Sequence, residues 1–342
     1  MAWNKTSIFI FCALTLIYGS AYAAIAQGIK YFNPGVFQTL RMVFGVSFCL
    51  IVSFVRYYID HLKFKENTKK LFNNNKMIIN LIIGGMINMG LPHCLISTGQ
   101  KWVSSASVQL ITPLATTVGA AFSHFVLDDE KFSKQKLISL ILSIVGVVLT
   151  SIPSFSHKQS TNSSDLYNLI LGYILVLISI IMFGIAPVFF KWKTPNIDIT
   201  LSVDIQLSVS LLFAFLWSMV FDGWDTFKKQ IVTTPFKGMM WPLMLGVVVS
   251  GMCIHGFMYL VGSIGSFGSN LLPFGQIIVG VAIGIIFMGE WDKYTWYEIA
   301  IVIIGIVVLF SSMGVGINST NAKQQSEHEE DISHEDAAIS EL

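Results

Sequence analysis

Charge is what this chain has least of. Only 12% of its 342 residues are Asp, Glu, Lys or Arg, about half the roughly 25% of a soluble domain. A soluble protein of this length buries a large core but still needs a charged surface, so that class is excluded. The formal net charge of +1 leaves no basic field to hold nucleic acid. Cysteine is sparse as well. Cys12, Cys49, Cys94 and Cys253 stand far apart, each inside an apolar run, without the close spacing of a metal site or a disulfide framework. Zinc-protease HExxH and aspartyl-protease GxGD patterns do not occur. Neither a metal nor a cofactor is expected.

What is present is hydrophobic, 54% of the chain, and it is gathered into runs. A helix needs about 20 apolar residues to cross a bilayer. Runs near that length cover Ser7–Ile29, Pro34–Val55, Met77–Gly99, Val103–Leu127 and Leu137–Ile152. Five more follow at Leu166–Phe190, Ile199–Phe221, Met239–Gly262, Phe267–Met288 and Trp296–Met313. The first run is longer than a signal-peptide core and more spans follow it, so it is read as a retained helix. Mid-span prolines at 92, 113, 187 and 273 are tolerated in membranes where neighbours satisfy the freed carbonyls.

The two sets of five echo one another. Pro113 answers to Pro273 and Glu130 to Glu290, both at an offset of 160, and Gly85 and Gly90 answer to Gly246 and Gly251 at 161. The expected fold is an all-α integral membrane protein of ten helices, built as two inverted five-helix repeats. Residues 1–156 form the first repeat, 157–317 the second, and 318–342 an acidic tail too polar to bury a core. Lys and Arg crowd the loops at 56–76 and 131–136, which places both termini in the cytoplasm. Lys228, Lys229 and Lys237 count against that orientation, and Lys191 and Lys193 partly offset them. Of the glycosylation patterns at Asn4, Asn162 and Asn318, only Asn162 would face outside.

The layout resembles the EamA-like family of the drug/metabolite transporter superfamily. The carrying residues are Tyr18-Gly19-Ser20, Pro34 with Arg41, Gly99-Gln100-Lys101-Trp102, Glu130 and Gly289-Glu290. Asp129 stands before Glu130, where the family has Gly-Glu. The resemblance covers residues 1–316 and implies a transporter, not an enzyme, in the plasma or inner membrane. The implied activity is export or exchange of small organic metabolites, amino-acid or drug-like, by alternating access around a midplane cavity. A phosphorylated-metabolite or nucleotide-sugar antiporter of the same superfamily is the alternative, although spans eight and nine contain no Lys or Arg. A non-transporting receptor or enzyme is a further alternative. Expected partners are the solute and the lipid bilayer, with a homodimer left open.

Candidate site residues follow from chemistry and placement. His93 and His255 fall mid-span in equivalent spans, and an intramembrane ionisable group is a functional candidate. Gln109, Asn270 and Gln276 would add neutral hydrogen bonds. Tyr18 and Phe183 would form apolar walls, with Tyr22, Tyr259 and Phe274 as further aromatic candidates. Arg41 lies about two turns into span two, where a buried arginine costs about 2.5–3.5 kcal/mol on insertion scales. Arg41, Glu130, Glu290 and Asp204 are assigned gating or structural roles. The scarcity of charge points to a zwitterionic, neutral or modestly cationic solute.

Overall fold

The computed structural model describes residues 3–128, 133–156, 163–195, 197–288 and 295–315. Among them there are helices and no strands. In chain order these are α1 (Lys5–Gly28), α2 (Pro34–Ile59), α3 (His61–Phe72) and α4 (Asn75–Gly99). Then come α5 (Ser105–Ile111), α6 (Leu114–Val126), α7 (Lys134–Ser156), α8 (Ser163–Lys193) and α9 (Ile199–Phe221). The last are α10 (Trp224–Thr233), α11 (Phe236–Ser269), α12 (Leu272–Met288) and α13 (Trp296–Val315). Seven helices among the described residues are long and apolar enough to cross a membrane: α1, α2, α4, α8, α9, α11 and α13. Large apolar side chains such as Phe9, Phe54, Val220 and Ile304 stand exposed on their outer faces. Lipid satisfies such a surface and water does not. The chain is a multi-pass integral membrane protein.

Several boundaries differ from expectation. The fourth apolar run is two helices, α5 and α6, parted at Thr112–Pro113. Proline has no N–H to give. The Thr112 N–H reaches the Gln109 carbonyl at 3.3 Å instead, and the Thr112 hydroxyl takes the Val108 carbonyl at 2.8 Å. The eighth run continues past Gly262, turns at Gly265 (φ +83°) and ends at Ser269. Gly262 itself has open space around it, so it is no contact point. The connections at 61–72 and 224–233 are short helices. Glu130, Glu290, Asn162 and the tail lie outside the described residues.

Two stretches are π-helical: Met86–Gly90 within α4 and Leu245–Met252 within α11. A π turn carries one residue too many for the α ladder and frees carbonyls locally. Hydroxyl and thiol groups on facing helices take them. Ser210 of α9 donates to Gly85 O at 3.2 Å, and Cys49 of α2 donates to Gly251 O at 3.8 Å.

The central pair is α2 against α9, antiparallel. At one end Asp222 accepts the Val36 N–H at 3.0 Å, and Gln230 is bonded to Asn33 through both its amide atoms. At the other end Arg56 makes a bidentate ion pair with Asp198, and Asn67 and Thr200 join it at 2.8 and 2.6 Å. Around this pair α1 packs on α12 and α6 on α8, while α2 meets the π segment of α11 and α9 that of α4. Glycine sets the closest approaches. A Cβ at Gly184 would stand 2.3 Å from Ala115 O, and Gly146 and Gly305 abut through their backbones.

Two outcomes follow. Gly184→Val should separate α8 from α6, and overpacking of this kind costs about 1–3 kcal/mol or more; Gly262→Ala should be neutral. Equal unfolding temperatures for the two purified variants would contradict this packing. The second concerns Asp198. Burial opposes its ionisation, but the Arg56 hydrogen bond and charge, with Asn67 and the Leu201 N–H, more than offset that and hold its carboxyl below the ordinary range. A depressed folded-state pKa stabilises above the unfolded value of about 3.9, and the gain disappears as pH falls through the folded value. Asp198→Asn should therefore unfold at a lower temperature than the parent at pH 7, with the gap closing below about pH 4. A gap that widens on acidification would reverse the sign.

Candidate functional site

Where α1, α2, α4, α8, α11 and α12 converge with the α5–α6 junction they enclose a cavity of about 110 Å³. Tyr18 and Tyr22 project from one face of α1, four residues apart, as helix geometry requires. Asn88 and His93 come from the π turn of α4 and the helix after it, Phe183 from α8, and Ile254 and Phe257 from α11. Thr112, Ala115, Leu272 and Pro273 reach it from the two breaks at Pro113 and Asn270–Pro273, and Gln276 from the next turn of α12. The wall is mostly apolar, and no acid is among its lining residues.

Arg41 is the charged group in that wall. It is wholly buried. Its Nε donates to Ser250 Oγ at 2.8 Å, and Nη1 lies 3.2 Å from His93 Nδ1. A guanidinium can only donate, so Nδ1 accepts and the histidine proton sits on Nε2. The His93 ring also meets Phe183 edge-on, with centroids 5.2 Å apart. Arg41 Nη2 is buried with no hydrogen-bond partner.

The other polar groups are held from behind. Asn88 donates to Gln206 at 3.1 Å, and Gln206 in turn donates to Ser202 at 3.0 Å. Asn270 donates to Gly184 O at 3.1 Å, while its own carbonyl accepts from the Thr116 hydroxyl. Tyr22 is hydrogen-bonded to Thr112.

The cavity gathers Tyr18, Tyr22, His93, Phe183, Asn270 and Gln276 from the sequence candidates, and adds Arg41 from the structural charges. His255 and Gln109 stand outside it. His255 Nδ1 is spent on the Gly251 carbonyl at 2.7 Å. Gln109 lines a second, minute pocket with Gly19, Ser105 and Gly280, and both its amide atoms are buried without partners. Tyr259 and Phe274 pack elsewhere in the core. Asp204 sits near the start of α9, where Ser53 donates to it across the α2–α9 interface. Asn88, which the sequence also offered as a possible cavity-lining amide, is in the lining, while sequence reasoning missed Thr112, Ile254, Phe257 and Ser269. The offset of 161 set by the paired glycines carries His93 to Ile254, which does line the cavity, and His255 is one residue beyond. On a helix one residue is about 100°, enough to turn a side chain out of a site.

Similarity to known proteins agrees with this architecture. Residues 5–152 match the family model of the EamA-like transporter family. The chain is similar to the uncharacterized transporter YoaV of Bacillus subtilis (strain 168), at 22% identity over 284 residues, 80% of this chain and 90% of the relative. An uncharacterized transporter of Archaeoglobus fulgidus is 23% identical over 183 residues, 53% of this chain and 56% of that one. The thiamine-repressible mitochondrial transport protein THI74 of Saccharomyces cerevisiae is 20% identical over 166 residues, covering 46% and 44%. A solved crystal structure whose description names no activity shares the fold, with a TM-score of 0.58 at 13% identity, over 93% of this chain and 100% of the other. The likeness to the EamA-like transporter family is carried by residues 5–152, under half of the chain.

The two histidines should separate in stability. His93→Leu removes the acceptor of a buried guanidinium N–H, a loss of about 1.5–3 kcal/mol for a bond to a charged group. His255→Leu removes a neutral bond worth about 1 kcal/mol. Thermal unfolding of the purified variants measures both, and a larger drop for His255→Leu would overturn the assignment.

Proposed function

We propose that this EamA-like protein is a transporter that carries small organic solutes across the membrane through the cavity around Tyr18, His93 and Asn270. Ten spans form two inverted five-helix repeats, residues 1–156 and 157–317. The three spans added to the seven long apolar helices are α5 with α6, α7, and α12. The two repeats rock about the cavity to give alternating access, as in transporters built from inverted repeats.

The observation that carries the reading is that both halves line one cavity from corresponding segments. The π turns of α4 and α11 correspond at the glycine offset of 161. So do the breaks at Pro113 and Pro273, at 160. The contacts also exchange when the halves are exchanged. Gly85 packs on the backbone at Gln206, and Gly246 packs on Arg41 and Gly45, with 45 and 206 again 161 apart. The pair α1–α12 answers to α8–α6. The α2–α9 pair answers to itself, and its antiparallel sense is what an axis in the membrane plane requires. The basic stretch at 56–76, now partly α3, puts both termini in the cytoplasm of a cell bounded by that membrane.

Size helps choose among solutes. An apolar cavity of about 150 Å³ holds one benzene, so about 110 Å³ admits only a few heavy atoms as it stands, and a solute of amino-acid scale needs the walls to open modestly. A nucleotide sugar is several times larger. The phosphorylated-solute alternative has Arg41 in its favour and cavity volume against it.

Ala21→Trp fills the cavity from α1, and the variant should stay folded but lose most transport. Uptake into proteoliposomes loaded for counterflow with mixed amino acids and small organic acids, normalised to reconstituted protein, gives the answer. Parental flux in a folded Ala21→Trp protein would mean that solute passes elsewhere.

A further inference from the structure

Arg41 presents a problem that the protein does not solve alone. A charge placed inside a membrane is paired or directed at a polar cavity, and a buried charge without a partner is strongly unfavourable. The side chain is wholly buried and spends one N–H on Ser250 and one on His93, both uncharged acceptors. Nη2 meets no acceptor. Among the described acids on the central helices, Asp198 is taken by Arg56, Asp204 accepts from Ser53, and Asp222 accepts from Val36. None of them lines the cavity.

We infer that the solute carries a single carboxylate and that Arg41 recognises it, with Nη2 as the donor awaiting that group. This inference rests on the transporter reading and names its substrate class. Ser250 and His93 hold the guanidinium where it borders the cavity, so that it has little freedom to lose on binding. A carboxylate supplies both the missing acceptor and the missing negative charge. The first turns of α6 and α12 also open onto the cavity through Ala115 and Leu272, and helix starts favour an anion. One cation balances a monoanion but leaves a phosphate dianion short. A cationic solute would face like charge with no acid in the wall to receive it, which removes the cationic option suggested by composition. Tyr18, Phe183 and Phe257 would hold an apolar body, and Asn88, Asn270 and Gln276 a second polar group.

The test uses matched probes on the full-length protein. The leucine series is leucine, 4-methylpentanoate, leucinamide and 3-methylbutylamine; the phenylalanine series is phenylalanine, 3-phenylpropionate, phenylalaninamide and 2-phenylethylamine. Binding is read by thermal shift on purified protein and transport by counterflow in proteoliposomes. The expected result is that an acid in at least one series binds about tenfold or more tightly than its amide or amine, the scale of a hydrogen bond to a charged group. Whether the amino acid or the plain acid is preferred tells a zwitterion from a simple anion. Arg41→Gln should bring acid and amide to parity, while Arg41→Lys should keep part of the preference. If Arg41→Gln fails to fold, the acid–amide comparison on the parental protein still decides. Amides or amines binding as tightly as acids, no shift with any acid up to about 10 mM, or an acid preference that survives Arg41→Gln would each overturn the inference. Amide transport by the parent would leave the transporter reading standing. Acid binding with no flux of any probe would keep Arg41 as the recognition residue and remove the transporter reading instead.

Discussion

A bilayer core offers no water to an unmade backbone hydrogen bond, and this constraint decides where the chain is allowed to depart from the α-helix. It departs in few places, and each departure is packed against a neighbour that repairs it. Thr112 serves the ladder where Pro113 cannot. Ser210 reaches the Gly85 carbonyl at the edge of one π segment, and Cys49 the Gly251 carbonyl within the other. Asn270, at the second break, gives its amide to Gly184 and its carbonyl to Thr116. The repaired breaks all border the cavity, so the irregular backbone that a membrane forbids on its lipid face becomes the means of shaping that cavity.

The polar groups of that interior are arranged in two tiers. Those with partners behind them, such as Asn88 on Gln206 and His93 on Arg41, are fixed in orientation before any solute arrives. Arg41 differs because it is fixed and still has a donor unused.

Much of this was legible in the sequence. The apolar runs located the spans because only length and hydrophobicity are needed to cross lipid. The prolines and glycines suggested the proposed repeat because their backbone roles tolerate few replacements. The roles of individual side chains were harder to read. The symmetric placement of His93 and His255 suggested a pair of equal sites, but position 161 along from His93 is Ile254, and His255 turns away to the Gly251 carbonyl. Gln109 failed for a similar angular reason, facing Gly280 and not the cavity. The π turns that precede the two histidines have no sequence signature beyond flanking glycines. Arg41 was placed by depth and by the resemblance, and neither reveals whether an arginine finds an acid. Glu130 and Glu290 fall outside the described residues.

The α2–α9 pair has a mechanical side. It is fastened at both ends, by Asp222 with Val36 and Gln230 with Asn33 at one, and by Arg56, Asp198, Asn67 and Thr200 at the other. Two antiparallel helices pinned at both termini act as a stiff beam, because neither can slide without breaking both sets of bonds. The helices that cross them, α4 and α11, each contain a π segment at the crossing, where the hydrogen-bond register is looser. Stiffness is therefore unevenly distributed, with a rigid spar in the middle and a compliant turn on either flank. A load applied to such a frame is absorbed by the flanks, and those flanks carry Asn88 and Val249 into the cavity wall. Bending and the shape of the cavity are thus coupled through the same two turns of backbone.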